Sequence, residues 1–85
     1  MTTLVTGGNG GVPSHIVRRL ARRGERVISY DLMEPDQLLA ELLGETIDQV
    51  TFVHGDITDR DALMQASRDN GVTRIIHAAV ITPRR

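Results

Sequence analysis

The residues best placed to do chemistry are the glycines of Gly7-Gly8-Asn9-Gly10-Gly11-Val12-Pro13. They lie between a short apolar run, Thr2–Thr6, and a segment with helical spacing. Glycine lets a backbone turn sharply and lets a phosphate approach without meeting a Cβ. A helix opening directly after such a turn offers unbonded N–H groups and the positive end of its dipole. Strand, glycine turn and helix start, in that order, are what a dinucleotide pyrophosphate requires. Asp31 agrees with this reading, because it ends a second apolar run, 21 residues after Gly10. A carboxylate there accepts hydrogen bonds from both adenosine ribose hydroxyls and repels a 2′-phosphate, so NAD(H) is favoured over NADP(H). Leu32, beside it, is counted with the cofactor positions. The plainer alternatives are a glycine turn that is only scaffold and an Asp that caps the next turn or helix.

Two later stretches follow apolar runs in the same way: Gly55-Asp56-Ile57-Thr58-Asp59 after a third run, and Ile75-Ile76-His77-Ala78-Ala79 near the last residues. With them, the chain resembles the short-chain dehydrogenase/reductase superfamily, whose turn reads T-G-x-x-G-x-x-G. It is most similar to the extended branch, the NAD-dependent epimerase/dehydratase family, where the turn commonly reads T-G-G-x-G-F-I-G. By position, the resemblance implies cofactor contacts at Gly7, Gly10, Gly11 and Val12. One position departs, since the third glycine falls on Pro13. Proline is sterically legal in a first helical turn, which needs no intrahelical N–H. Its ring either widens the packing around the pyrophosphate or simply fixes the helix start.

The 55–59 stretch is similar to the family's G-D-[ILV]-x-D segment. The resemblance implies that Asp56 accepts from the adenine amino group and that Ile57 packs on the ring. Taken alone, Asp56 reads as a turn residue, and Asp59 as a helix-start residue that favours the dipole. The 75–79 stretch is similar to V-[IV]-H-x-A-A. It implies that Ala78 and Ala79 let the nicotinamide-side ribose and phosphate lie against the backbone, with Thr82 just beyond. His77 reads as structural.

The resemblance also implies NAD-dependent oxidoreduction or epimerisation, often of nucleotide sugars. That chemistry uses a Tyr-x-x-x-Lys pair, in which the lysine lowers the pKa of a tyrosine that acts as general acid and base. All ten basic residues here are Arg, and the one tyrosine, Tyr30, sits in the second apolar run. The pair cannot be assembled from these residues. The resemblance spans the chain but about the first third of a typical family member. The expectation is a truncated NAD(P)-binding Rossmann-type domain over residues 1–85. Two rival expectations are a non-catalytic dinucleotide sensor and a self-associating unit that has lost the cofactor.

The elements that must position these residues alternate strictly. Strands are expected at Thr2–Thr6, Arg26–Tyr30, Val50–His54 and Arg74–Ala79. Helices are expected at Gly11–Arg23, Pro35–Leu43 and Asp59–Asn70, the last opened by Thr58 with Asp61 three residues on. Leu38, Leu39, Leu42 and Leu43 are expected on one face of the second helix. Alternation with short turns implies right-handed crossovers and an α/β three-layer half-Rossmann unit, a parallel sheet in the order 3-2-1-4 with three helices. The first two helices then share one face, and the third lies nearly alone on the other. The fourth strand is left as an apolar edge, from which we expect homo-oligomers.

Composition excludes much else. The net charge of −1 provides no global field for nucleic acid or a membrane surface. Cysteine is absent, so there is neither a disulfide framework nor a zinc–thiolate site, which fits a cytoplasmic chain. His15, His54 and His77 lack metal-ligand spacing. Arg18, Arg19, Arg22, Arg23 and Arg26 form a basic cluster with no interleaved aromatic residue, and it reads as a solvated face.

Overall fold

A computed structural model describes residues 1–78. Four strands, β1 (Thr2–Thr6), β2 (Arg26–Asp31), β3 (Val50–His54) and β4 (Arg74–His77), form one parallel sheet in the order β3-β2-β1-β4. Three helices connect them: α1 (Gly11–Arg22), α2 (Gln37–Leu43) and α3 (Arg60–Asp69). The strand order is the expected one. The chain steps outward from β1 through β2 to β3 with α1 and α2 on one face, then returns to pair β4 with β1, and the right hand that crossovers prefer puts α3 on the other face.

The strand period of two divides the core. Val5 and Val27 face α1 and α2, where they join Val17, Leu20, Ala21, Leu39, Leu43 and Val50. Leu4, Ile28 and Tyr30 face the other way and meet Leu63 and Ala66 of α3. Each fully buried aliphatic side chain contributes roughly 1.5–3 kcal/mol of transfer free energy. The first layer is therefore the better supported, and the α3 side is thin. Ile75, opposite Leu4 in the register, remains 39% exposed.

The boundaries differ from expectation where caps decide them. Helix α2 begins at Gln37 rather than at Pro35, because the Asp36 carboxylate accepts from Leu39 N at 2.9 Å. Leu39 and Leu43 are buried against Val5, Val27 and Val50, while Leu38 is 75% exposed. A 3-10 turn, Gly44–Gln49, continues the helix where a simple stop was expected. Helix α3 is capped by Asp59, which accepts from Ala62 N at 3.1 Å, and not by Thr58. Helix α1 ends at Arg22 and β4 at His77, each short of the expected end.

Candidate functional site at the carboxyl edge of the sheet

The four motif segments converge at the carboxyl ends of the strands, and hydrogen bonds join each to its neighbour. Gly7 N donates to Tyr30 O at 2.8 Å, tying the glycine turn to β2. Gly55 N donates to Asp31 O at 3.1 Å, tying the β3 turn to β2. Ala78 N donates to Thr6 Oγ1 at 3.0 Å, bringing the end of β4 beside the start of the glycine turn. Ligands of open α/β sheets bind along this edge. Ala79 and Thr82 lie outside the described residues.

In the turn itself, Gly7 adopts a positive φ of 70°, a conformation that favours glycine. Gly10 caps α1 and the first helical bond runs from Ser14 N to Gly10 O, at 3.2 Å. The N–H groups of Gly11 and Val12 precede that ladder. Val12 is 75% exposed, so this helix start faces open space. Pro13 occupies the third helical position, where no intrahelical N–H is needed. Two donors at the helix start survive the substitution.

Asp31 is held from both sides. Its Oδ2 accepts from Asn9 N at 3.0 Å and its Oδ1 from Met33 N at 3.0 Å. An ionised carboxylate has about four acceptor directions, so one remains on each oxygen. The cleft beside it, about 130 Å³, is lined by Asn9, Glu34, Phe52 and His54 among others, and no arginine contributes to it. A second carboxylate there makes the pocket still less hospitable to a 2′-phosphate. Leu32 follows as an exposed side chain at the end of β2.

Asp56 Oδ1 takes two bonds from Thr58, N at 2.8 Å and Oγ1 at 2.8 Å. The backbone bond first, and the hydroxyl second, hold its carboxyl below the usual carboxylate range. Oδ2 takes none of the described hydrogen bonds. Ile57 is half-buried, packed on the Leu4–Ile28–Tyr30 cluster.

Three residues that spacing did not mark complete the architecture. Asn9 is a staple: besides its backbone bond to Asp31, its side chain donates to Met33 O at 2.7 Å and accepts from Ser29 Oγ at 2.7 Å. Gly8 is buried, and a Cβ there would fall on the Ser29 hydroxyl. Tyr30, 1% exposed, donates its hydroxyl to Asp56 O at 3.2 Å and so braces the β3 turn from below. The signal for Asn9 was its polar side chain in a turn otherwise built of glycine.

Burial, then the charges of Asp59 and Asp56, push the Tyr30 phenol above its ordinary value. The chain has neither Cys nor Lys, so Tyr30 is its one side chain of a type that titrates between about pH 8 and 12. A raised native pKa favours the neutral phenol in the folded state. Its contribution is complete below about pH 10, where the unfolded phenol is still protonated, and is lost as pH rises towards the native value. Thermal midpoints should therefore fall steadily above about pH 10 in the wild type and stay level in Tyr30→Phe. An equal decline in both chains would refute the assignment.

A family description, NAD dependent epimerase/dehydratase family, matches residues 3–84. The chain belongs to that family. Among curated members, it is 37% identical over 79 residues to the UDP-glucose 4-epimerase of Halalkalibacterium halodurans, covering 93% of this chain and 22% of that protein. The corresponding epimerase of Neisseria meningitidis serogroup B is 35% identical over 78 residues, covering 89% of this chain and 23% of that one. Among solved structures, the UDP-glucose-4-epimerase of Stenotrophomonas maltophila, with bound NAD and formylated UDP-arabinopyranose, superposes with a TM-score of 0.82 at 28% identity. It covers 98% of this chain and 25% of that protein. The chain thus spans about a quarter of the length of these relatives. NAD is the cofactor of the family, and the Rossmann-type sheet is the part of the family fold present here. No helix among the described residues is long and apolar enough to cross a membrane.

Proposed function

We propose that this chain is the NAD-binding portion of an NAD-dependent epimerase/dehydratase. The observation that carries the reading is the orientation of Asp31, fixed by Asn9 N and Met33 N beside the glycine turn, with one acceptor direction left on each oxygen. Those directions suit the two hydroxyls of the adenosine ribose. The N–H groups of Gly11 and Val12 would hold the pyrophosphate, with Gly7 and Gly10 shaping the turn. Asp56 Oδ2 would accept from the adenine amino group, and Ile57 and Leu32 would flank the ring. Ala78, Ala79 and Thr82 would lie along the nicotinamide half. Such residues fit the group: the donors precede the helix ladder, and a Cβ at Gly11 would meet nothing within 4 Å.

NAD, when bound, supplies a centre that accepts and returns a hydride. The residues of this chain bind and orient it, and hold no proton-transfer pair, since no Lys is present. The UDP-glucose 4-epimerase relatives support a sugar nucleotide as the substrate of the whole protein. The preference test is calorimetric titration with NADH and NADPH. NADH should bind at least about tenfold more tightly. Equal or tighter NADPH binding would remove the Asp31 argument.

A second reading concerns assembly. Among the described residues β4 pairs on one side only, and Ile75 and Met64 expose apolar surface beside it. Pairing of two copies along β4 would cover both, and sedimentation of the titrated sample, with and without NADH, reads it directly.

A further inference from the structure

Helix α1 carries charge that neither packing nor capping requires. His15, Arg18, Arg19, Arg22 and Arg23 line a groove of about 410 Å³ on its outer surface. No carboxylate lines it, and α1 itself contains none. Glu25, the nearest acid in sequence, is engaged by Arg74 at 2.9 Å, the one ion pair among the described residues. Arg19 and Arg22 sit in the last turn, where the dipole favours cations. Arg23, the C-cap, shares that explanation, whereas Arg18 does not. Arg18 with Arg22, and Arg19 with Arg23, are i,i+4 neighbours, and like charges at that spacing oppose the helix.

Helix α3 shows the alternative. It alternates Arg60 with Asp61 and Arg68 with Asp69, and Gln65 donates to Asp69 at 2.8 Å. The contrast extends through the chain: five of the ten arginines fall between 18 and 26, while ten of the eleven carboxylates follow Tyr30. A cationic groove that repels itself and has no counter-charge among the described residues is matched to an external anion.

The chemistry of the groove narrows that anion. Every fixed cation in it is a guanidinium, whose planar fork pairs bidentately with phosphate oxygens. From His15 to Arg23 the helix rises about 12 Å, the reach of a short phosphate chain. Neither Tyr30 nor Phe52 lines the groove, so no phenyl or phenol ring is there for a base to stack on. No apolar side chain lines it either, so it lacks the face that enters a lipid interface. We propose that this groove binds a compact anion bearing two or more linked phosphate groups, at a site that meets the cofactor turn only at His15.

The test is calorimetric titration of the chain with tripolyphosphate at about 150 mM salt, where unspecific attraction is screened. Saturable one-to-one binding is expected, weakened at least about tenfold by Arg18→Gln/Arg22→Gln. Arg60→Gln/Arg68→Gln on α3 removes the same charge and should alter affinity by less than about twofold. Arg18→Lys/Arg22→Lys, which keeps charge without the fork, should fall between. ATP separates the sources. Affinity equal to tripolyphosphate means that a nucleotide tail serves as well as a free chain, and much weaker binding means that the free chain is the ligand. Thermal melts of each variant confirm that it is folded. Absence of saturable binding up to about 1 mM, well above usual ligand ranges, would overturn the proposal. So would equal weakening by the α3 pair, or displacement of tripolyphosphate by NADH, which would put the anion in the glycine turn.

Discussion

Gly55→Ala should lower the thermal midpoint by about 8–24 °C, the equivalent of roughly 2–3 kcal/mol of overpacking in a domain of this size. The reason is space. The Gly55 φ is not in the left-handed region, so backbone strain has no part. A Cβ built on Gly55 falls on the Tyr30 ring, against its Cζ, Cε2 and hydroxyl. A flexible surface side chain would swing clear. Tyr30 cannot, because it is enclosed by Leu4, Ile28, Leu63 and Ala66. Either the ring moves into a packed core, or the β3 turn lifts away from β2 and strains the Gly55 N to Asp31 O bond. With about 4–13 kcal/mol of total stability typical for this length, the loss is a large share. The Tyr30→Leu background isolates the cause, since leucine removes the clashing atoms. There Gly55→Ala should cost less than about 1 kcal/mol, and the double-mutant cycle should show a coupling of about 1–2 kcal/mol. Additive effects would mean that the ring is not the obstacle.

Tyr30 and Gly55 also show where sequence reading reaches its limit. The alternation of Val27, Ile28, Ser29 and Tyr30 identifies a buried strand, and the glycine after His54 identifies a turn. That the two positions collide depends on the β2–β3 register, with Asp31 opposite His54. Register is a relation between distant segments and leaves no mark in either one. Asn9 is the same case. Its three bonds join it to Ser29, Asp31 and Met33, about 20 residues away, and glycine spacing is silent on them. The sheet order was legible because crossover handedness leaves few alternatives. The glycine turn and Asp31 were legible because each needs a particular residue type at a particular place. The buried stripe of α2 was not, since Leu38, Leu39, Leu42 and Leu43 allow two apolar stripes and the choice between them is made by packing against Val5, Val27 and Val50, which are distant in sequence. Nor was the Thr58 role, because two polar residues side by side both satisfy the rule for a helix start. Asp59 took the cap and left Thr58 to Asp56.

Asp31→Ala should weaken NADH binding by about 150- to 900-fold, from the loss of two hydrogen bonds to a charged acceptor at about 1.5–2 kcal/mol each. NADPH should respond differently. Its 2′-phosphate meets the Asp31 carboxylate in the wild type, with Glu34 in the same cleft. Removing Asp31 removes both an acceptor and a repulsion, so NADPH affinity should change by less than about threefold. The ratio of the two affinities is therefore the decisive quantity, and it should collapse towards unity. A structural role for Asp31 predicts otherwise. The carboxylate also fastens Asn9 N and Met33 N, and a turn loosened by its loss would weaken both cofactors together. Asn9→Ala supplies the comparison, because it cuts the side-chain staple to Ser29 and Met33 while the carboxylate remains. It should reduce affinity for NADH and NADPH by the same factor, about three- to tenfold, and leave the preference intact. If Asp31→Ala behaves like Asn9→Ala, with both affinities falling in parallel, the carboxylate positions the glycine turn and the ribose is recognised elsewhere.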